Sequence, residues 1–318
     1  MPIEAGLHSL FPKHRHIIEY LGFHVNKRHR MVRLYTAFAE LGDLSGLVAS
    51  HKKLRKFVDN QGRRLQAPPI PIVAVLFIFE ALASGVCLMA YGAVPDDEGR
   101  WPNHQRPLWD HDIIHRDIKA QNYFLSASTS STVWPKLPIA ALGDFGNAFD
   151  AADPANRGRS MEAGTPNWMA PEQLRTSPAE YRVSSATNVY QIGLVILQLI
   201  LLESPQYQTD FAAGRQGEIF PRSTAPFYPK ELLDIAWSCI AMKPEDRPRP
   251  IDLYVSIRDL AKDVPKDASS QTPWRKYQWK NSHVNTHQAD TFTFIELQAV
   301  PPGQYVRTGV DKWATWMP

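Results

Sequence analysis

Cysteine is scarce in this 318-residue chain, which contains only Cys87 and Cys239. The two residues stand in different predicted helices and lie outside any spacing typical of a metal site or a redox pair. A disulfide framework is therefore excluded as the source of stability. We expect two buried thiols in a protein of a reducing compartment.

An excess of charge of one sign is also missing. The 35 basic and 32 acidic residues leave a formal net charge of +3, and no sustained basic stripe follows the chain. A surface that tracks a phosphate backbone needs such a stripe, so nucleic acid is not expected as a partner. The N-terminus carries Glu4, Lys13 and Arg15 and lacks an apolar block followed by small residues, so it does not predict a secretory signal. The expected location is intracellular, cytoplasmic or nuclear.

Long hydrophobic runs are rare, and the one exception spans residues 70–91 (IPIVAVLFIFEALASGVCLMAY). Glu80 lies in its middle and Pro71 near its start. A carboxylate at the centre of a membrane helix costs about 2.5–3.5 kcal/mol, and no cluster of Lys or Arg closely flanks the run. The run therefore predicts a buried core helix and no membrane partner.

The sequence predicts a β-hairpin near the N-terminus. Two strand-like segments, residues 17–25 and 31–38, flank the polar stretch 26–30. A helix is predicted to open over residues 41–48, with Asp43 or Ser45 as its N-cap. Helical periodicity returns farther along the chain over residues 188–203, 230–242 and 251–262.

Two aperiodic stretches, residues 93–112 and 126–138, are rich in Pro, Asp, Ser or Trp and predict surface loops. After Val264 the composition changes to Lys, Gln, Asn, Thr and Trp, and four of the nine tryptophans lie in residues 264–318. This last segment is predicted to be a separate tail.

The chemistry is concentrated in three short motifs, which occur in the order HRDIKAQN at 115–122, DFG at 144–146 and APE at 170–172. All three in one chain should arise by chance in fewer than about one sequence in 10⁵, given ordinary residue usage. They resemble the catalytic loop, metal loop and activation-segment end of eukaryotic-type protein kinases of the serine/threonine kind. The flanking sequences GTPNWM at 164–169 and EDRP at 245–248 are also similar to that family.

The resemblance implies an α+β, two-lobed kinase-like fold with a remnant upper β lobe and a mainly helical lower lobe. The corresponding domains would be residues 1–40, residues 41–263 and the tail at 264–318. The implied function is phosphoryl transfer from ATP, with Mg²⁺, to serine or threonine of a protein substrate. No feature of the sequence reports the oligomeric state.

The resemblance also implies roles for single residues. Asp117 would accept or orient the proton of the substrate hydroxyl, and Lys119 would neutralise the transferring phosphoryl group. Asn122 and Asp144 would hold Mg²⁺ through hard oxygen ligands. His115 and Phe145 are expected to pack and hold the loops; they are not expected to act as base or ligand.

Residues 36–39 would form the nucleotide-binding hinge. In this interpretation the backbone of Ala37, Phe38 and Ala39 binds adenine, and Thr36 lies at the back of the pocket. The alternative is a plain strand end.

Regulation is implied by Arg116, Ser160 and Thr165. Arg116 would grip a phosphate placed on Ser160, just before Thr165, because a guanidinium binds phosphate with two parallel hydrogen bonds. An ordinary loop serine is the alternative. Glu172 and Arg247 resemble the pair that ties the activation segment to the lower lobe.

Two departures from the family qualify this hypothesis. Only fifteen residues precede His16, and they contain neither a G-x-G-x-x-G loop nor a V-A-I-K-like lysine. We expect either an incomplete sequence or a truncated kinase-like protein, and a pseudokinase that acts as a binding module remains the functional alternative. Asn188 stands where the family has an aspartate, and loss of the charge is expected to weaken the anchor of the catalytic loop.

Overall fold

The computed structural model describes residues 3–54, 70–96, 99–101, 109–126, 138–153, 156, 163–174, 182–205, 209–210, 215–216 and 228–262. The helices in these ranges are α1 (Ile3–Leu10), α2 (Leu44–Leu54), α3 (Ile72–Tyr91), α4 (Ser185–Leu201), α5 (Lys230–Cys239) and α6 (Pro250–Lys262). The strands are β1 (Tyr20–Asn26), β2 (Met31–Thr36), β3 (Ile113–Ile114), β4 (Tyr123–Ser126), β5 (Ile139–Leu142), β6 (Phe149–Asp150), β7 (Thr209–Asp210) and β8 (Arg215–Gln216). This mixture agrees with the predicted α+β class. Ser160 and the tail at 264–318 lie outside the described residues.

The predicted hairpin is present, with β1 antiparallel to β2 in a register that places Asn26 opposite Met31. Its turn is closed by Asn26, whose Oδ1 accepts a hydrogen bond from the His29 N–H at 3.1 Å. Several large apolar side chains of the hairpin are exposed, among them Phe23 and Val32. The hairpin therefore contributes little to the apolar core.

The first strand begins later than predicted, because residues 16–18 pair elsewhere. The Ile18 N–H donates to Leu142 O at 2.8 Å, and the Leu142 N–H donates to His16 O at 3.0 Å. Ile17 and Ile18 are buried by this pairing with β5. The segment is thereby joined to the end of β5, two residues before Asp144.

The chain after the hairpin is tied to β4. The Leu41 N–H donates to Leu125 O at 3.0 Å, and the Leu125 N–H donates to Gly42 O at 2.8 Å. Asp43 then caps α2, accepting from the Gly46 N–H at 3.1 Å, as one of the two predicted caps. Residues 41–43 are thus fixed beside the strand that follows the catalytic loop.

The core lies around α3 and α4. Helix α3 is long and apolar enough to cross a membrane by length and composition, but 94% of its most apolar stretch is buried inside the fold. It packs against α4 and α6, and Glu80 pairs with Arg258 across the α3–α6 contact. The structure therefore buries this helix, as the sequence predicted.

Helix α4 is central to the placement of the motifs. Ser184 caps its N-terminus, since the Ser184 hydroxyl accepts from the Ala186 N–H at 3.3 Å. The helix contacts α3, α5 and β3, and β3 pairs with β6. These contacts place the first turns of α4 directly against the segment at 115–122.

Candidate active site

Asp117 is a buried side chain with hydrogen bonds to both of its carboxylate oxygens. It is 4% exposed, and its Oδ1 accepts from the Thr165 N–H at 2.9 Å. Its Oδ2 accepts from Lys119 Nζ at 2.9 Å and from Asn122 Nδ2 at 3.4 Å. Hydrogen bonds to both oxygens of the charged carboxylate hold it in one orientation.

Lys119 joins two segments that are far apart in sequence. Besides Asp117, its Nζ donates to Thr165 Oγ1 at 2.6 Å, and its side chain is 17% exposed. Thr165 therefore contacts the acid through its backbone and the lysine through its hydroxyl. The three residues form a compact charged triangle.

Asn122 and Asp144 supply oxygen atoms next to this triangle. Asn122 donates through Nδ2 to Asp117 O at 2.9 Å, so its Oδ1 is the atom suited to a metal ion. Asp144 is exposed, has φ of 62°, and its Oδ1 accepts from the Gly146 N–H at 3.4 Å. An amide oxygen and an accessible carboxylate are the hard ligands that Mg²⁺ prefers, so the donor set fits this ion.

His115 is a buried packing residue. Its Nδ1 accepts from the Asp117 N–H at 3.3 Å, which leaves the protonated Nε2 to donate to Gly143 O at 3.0 Å. Burial lowers the pKa of His115, so the ring is neutral. A ring with both nitrogens engaged holds the loop and does not accept a substrate proton.

Phe145 lies within a cluster of rings that sequence reasoning missed. Its centroid is 4.9 Å from that of His115, 4.8 Å from His8 and 5.0 Å from Phe11. His8 and Phe11 come from α1 and the residues after it, so these rings fix the N-terminal helix on the metal loop. The spacing of two aromatic rings three residues apart, at His8 and Phe11, was the available signal.

Glu4 lies near the metal loop. The side chain is partly buried, and a Cβ built at Gly146 would lie 3.7 Å from Glu4 Oε2. Burial, and secondly repulsion from Asp144, raise the pKa of Glu4. A cation near Asp144 would relieve the repulsion between these two carboxyl groups.

The proposed hinge is more open than the catalytic loop. Thr36 and Phe38 are exposed, whereas Ala39 is buried. The Ala37 N–H is already donated to Glu19 O at 2.8 Å. An adenine contact at Ala37 would therefore fall to its carbonyl group.

The Arg116 side chain joins the catalytic loop to the chain after DFG. Its Nε donates to Asn147 O at 2.6 Å, and its guanidinium lies 4.8 Å from the Phe149 ring centroid. Its φ of 66° places the residue in the left-handed region. The structure brings Arg116 and Thr165 to the same site; Ser160 falls outside the described residues.

Glu172 and Arg247 form a bidentate ion pair with nitrogen–oxygen distances of 2.7 and 2.8 Å. Both side chains are 0% exposed. Thr187 Oγ1 also donates to Glu172 Oε1, at 2.6 Å. The pair fixes the segment at 170–173 to the start of α4 and to the chain before α6.

Asn188 holds the catalytic loop through both atoms of its amide group. Oδ1 accepts from the His115 N–H at 2.9 Å, and Nδ2 donates to Ile113 O at 2.9 Å. The expectation of a weakened anchor counted only the acceptor. A carboxylate at 188 would lack the second bond, so the neutral amide is the better fit to this backbone.

Two buried glutamines complete the site and were missed by sequence reasoning. Gln191 and Gln173 are both 0% exposed, and both donate to Arg116 O, at 2.8 and 3.1 Å. Their position beside known motifs was the only signal: Gln173 follows APE, and Gln191 lies one turn after Asn188.

Sequence comparison with known proteins supports the interpretation of these motifs as kinase motifs. Residues 106–255 match the protein kinase domain family. The G2-specific protein kinase fin1 of Schizosaccharomyces pombe is 28% identical over 197 residues, which cover 61% of this chain and 23% of that protein. The serine/threonine-protein kinase Nek5 of Mus musculus is 31% identical over 145 residues, which cover 44% of this chain and 21% of that protein.

A longer match, to the serine/threonine-protein kinase ATG1 of Sclerotinia sclerotiorum, is 26% identical over 275 residues and covers 74% of this chain and 25% of that protein. The chain spans a quarter or less of the length of each of these relatives. The three motifs, their joint geometry and the domain match lead to one conclusion: residues 106–255 of this chain form a domain of the protein kinase family.

Proposed function

We propose that this protein transfers the terminal phosphoryl group of ATP to a serine or threonine hydroxyl of a protein substrate. The observation that carries the proposal is the triangle of Asp117, Lys119 and Thr165, in which Lys119 Nζ lies 2.9 Å from Asp117 Oδ2 and 2.6 Å from Thr165 Oγ1. Phosphoryl transfer needs a positioned acceptor and cationic groups around the phosphate oxygens. The fixed carboxylate of Asp117 can position the acceptor hydroxyl, and the ammonium group of Lys119 supplies a positive charge beside it.

Each residue then has a separate task. Asp117 orients the acceptor hydroxyl and takes up its proton as the new phosphate ester forms. Lys119 stabilises the negative charge on the transferring group. Asn122 and Asp144 would hold Mg²⁺, which would neutralise the negative charge of the phosphate oxygens when bound.

Preference for serine or threonine rests on two supports. Lys119 lies two residues after Asp117, which is the form of the loop that the serine/threonine kinases share. Two of the relatives named above are serine/threonine-protein kinases by name. Adenine would bind along residues 36–39, with the Ala37 carbonyl as its acceptor, because the Ala37 N–H is donated to Glu19 O.

A phosphate on Ser160, held by Arg116, is part of the same proposal. The Arg116 side chain already bonds the chain after DFG through Asn147 O. A phosphate that bonds the same guanidinium would link the activation segment to the catalytic loop.

Transfer of labelled phosphate from Mg-ATP to a generic basic protein tests the function. The full-length protein is expected to label serine or threonine, and Asp117→Asn and Asp144→Asn should each lower the rate by about 10² to 10⁴. Arg249→Ala, at an exposed residue just before α6, serves as a control that keeps the parental rate. Absence of transfer by the parent, or label that survives Asp117→Asn, would instead favour a binding module.

A further inference from the structure

The catalytic loop and the segment at 163–170 are connected by the two buried glutamines. Gln191 Nε2 donates to Arg116 O at 2.8 Å and to Trp168 O at 3.0 Å, and Gln191 Oε1 accepts from the Ile118 N–H at 3.1 Å. One side chain therefore bonds the backbone on both sides of Asp117 and the backbone of the facing segment.

Gln173 makes the matching set of bonds from the other side. Its Nε2 donates to Ala163 O at 2.8 Å and to Arg116 O at 3.1 Å, and its Oε1 accepts from the Ala170 N–H at 2.8 Å. The two glutamines also meet, with Gln191 Nε2 lying 3.3 Å from Gln173 Oε1. All the polar atoms of this pair are engaged, in the manner of a fully satisfied buried network.

The Arg116 carbonyl is the point where the network converges. A carbonyl oxygen has two lone pairs, and here it accepts one bond from each glutamine. The facing chain approaches it closely, since a Cβ built at Gly164 would lie 2.3 Å from Arg116 O, and Gly164 has φ of 119°. The backbone between Ala163 and Thr165 therefore lies directly against the backbone before Asp117.

We propose that Gln173 and Gln191 act as a coupled pair of positioning residues, which lock the segment at 163–170 to the catalytic loop and thereby align the acceptor hydroxyl with Asp117. This inference rests on the proposed function and extends it. Loss of the pair lets the segment at 163–170 shift relative to the catalytic loop, while Asn122 and Asp144, which neither glutamine bonds, keep their positions. The reaction with a bound peptide then suffers more than the reaction of ATP with water, because water needs no alignment by residues 163–170.

The matched control is Gln198, which lies on the same helix seven residues after Gln191. It is also a buried glutamine, at 4% exposure, but its Nε2 donates to Ser204 Oγ at 3.4 Å and it does not bond the catalytic loop. Its Oε1 has no hydrogen-bond partner within the part of the chain that the structure describes. Gln198→Met thus repeats the chemical change of Gln191→Met away from the site.

The test compares two rates in the purified full-length protein, phosphoryl transfer to a serine peptide and hydrolysis of ATP by water. Gln191→Met is expected to lower kcat for the peptide about 10- to 100-fold, since an error of about 1 Å in alignment costs up to about 10²-fold. ATP hydrolysis should change less than about threefold, and Gln198→Met should leave both rates at the parental level. An equal fall of both rates in Gln191→Met would overturn the proposal, because general destabilisation does not change their ratio.

Gln173→Met provides the same test from the other segment. It can be used even if the Gln191→Met protein does not fold. The double variant should transfer phosphate to the peptide no more slowly than the worse single variant, since both residues act through Arg116 O. Multiplicative losses in the double variant would contradict a coupled pair.

Hydrogen exchange separates this inference from the proposed function. The Ile118 amide should exchange at least about tenfold faster in Gln191→Met than in the parent or in Gln198→Met, because Gln191 Oε1 is its acceptor. Faster exchange in a protein without transferase activity would support the pair and reject the enzyme. Unchanged exchange would reject the pair whatever the activity.

Discussion

Glu172–Arg247 and Glu19–Lys13 are both ion pairs with a nitrogen–oxygen distance of 2.7 Å, yet they lie in opposite surroundings. The first is 0% exposed on both sides and lies where the helical part of the chain holds the APE motif. The second lies just before the hairpin, with the Lys13 side chain 79% exposed and the Glu19 side chain 41% exposed. Distance alone therefore says little about what an interaction contributes.

The same contrast extends to the two halves of the site. Around Asp117, the amide groups of Asn122 and Asn188 are buried and bonded on the catalytic loop. At the proposed hinge, Thr36 and Phe38 are exposed. The position of the Asp117 carboxylate is therefore fixed by buried hydrogen bonds. The proposed binding of adenine at the hinge would instead depend on backbone atoms near the surface.

Removing one charge from each ion pair should give the largest difference. Glu172→Gln is expected to lower the free energy of unfolding by about 3–5 kcal/mol, because it leaves the Arg247 guanidinium buried without its counter-charge. Glu19→Gln should cost at most about 1 kcal/mol, since water solvates both partners. Urea denaturation of the two variants measures both values. Equal losses would remove the distinction between the two regions.

A smaller difference is expected for two asparagine-to-aspartate changes. Asn188→Asp should destabilise the protein by about 1–3 kcal/mol, because a buried carboxylate cannot donate to Ile113 O. Asn26→Asp in the hairpin keeps its bond from the His29 N–H and should stay within about 0.5 kcal/mol of the parent. Midpoints of urea unfolding at pH 7.5 measure the stability of both variants against the parent. A more stable Asn188→Asp protein would restore the sequence-based view that the family's aspartate is the better anchor.

The smallest expected effect depends on pH and concerns Asp112, next to β3. Burial, with repulsion from Asp150, raises the pKa of Asp112 to about 6, although the Ser185 N–H opposes the shift. The folded protein therefore binds this proton more tightly than the unfolded chain, so the stability it contributes is present below about pH 4 and is lost as the pH rises through about 6.

Asp112→Asn is neutral at every pH and should be more stable than the parent by about 1 kcal/mol at pH 7.5, allowing for partial solvent screening. The advantage should shrink toward pH 5 and vanish below about pH 4. Thermal unfolding across this range provides the measurement. An advantage that does not change with pH would mean that ionisation of Asp112 is not its source.

Much of the framework could be predicted because its signals are local. The turn at 26–30, the cap at Asp43 and the apolar helix around Glu80 each follow from short-range propensity and hydrophobic pattern. The motifs at 115–122 and 144–146 named two residues of the charged triangle, Asp117 and Lys119, and the candidate metal ligands Asn122 and Asp144. Backbone chemistry and motif order were sufficient for these features.

The missed features depend on contacts between distant residues. Gln191 bonds Ile118 across 73 positions, and an isolated glutamine in an apolar helix has no motif that would reveal this. The donor bond of Asn188 was missed because its value depends on where the Ile113 carbonyl points. The predicted start of β1 was wrong because residues 16–18 pair with the end of β5. The alternation of residues within the hairpin could not indicate this pairing.

A single-turnover measurement of phosphoryl transfer from Mg-ATP to a serine peptide tests the central claim, that Asp117 and Lys119 act together as the reaction centre. The parent should place the label on serine, and Lys119→Met should be slower by about 10²-fold or more, because its ammonium bonds both Asp117 and Thr165. The double variant Asp117→Asn/Lys119→Met should be no slower than Asp117→Asn alone, as expected for residues that act as one unit. A Lys119→Met protein with the parental rate would contradict the account.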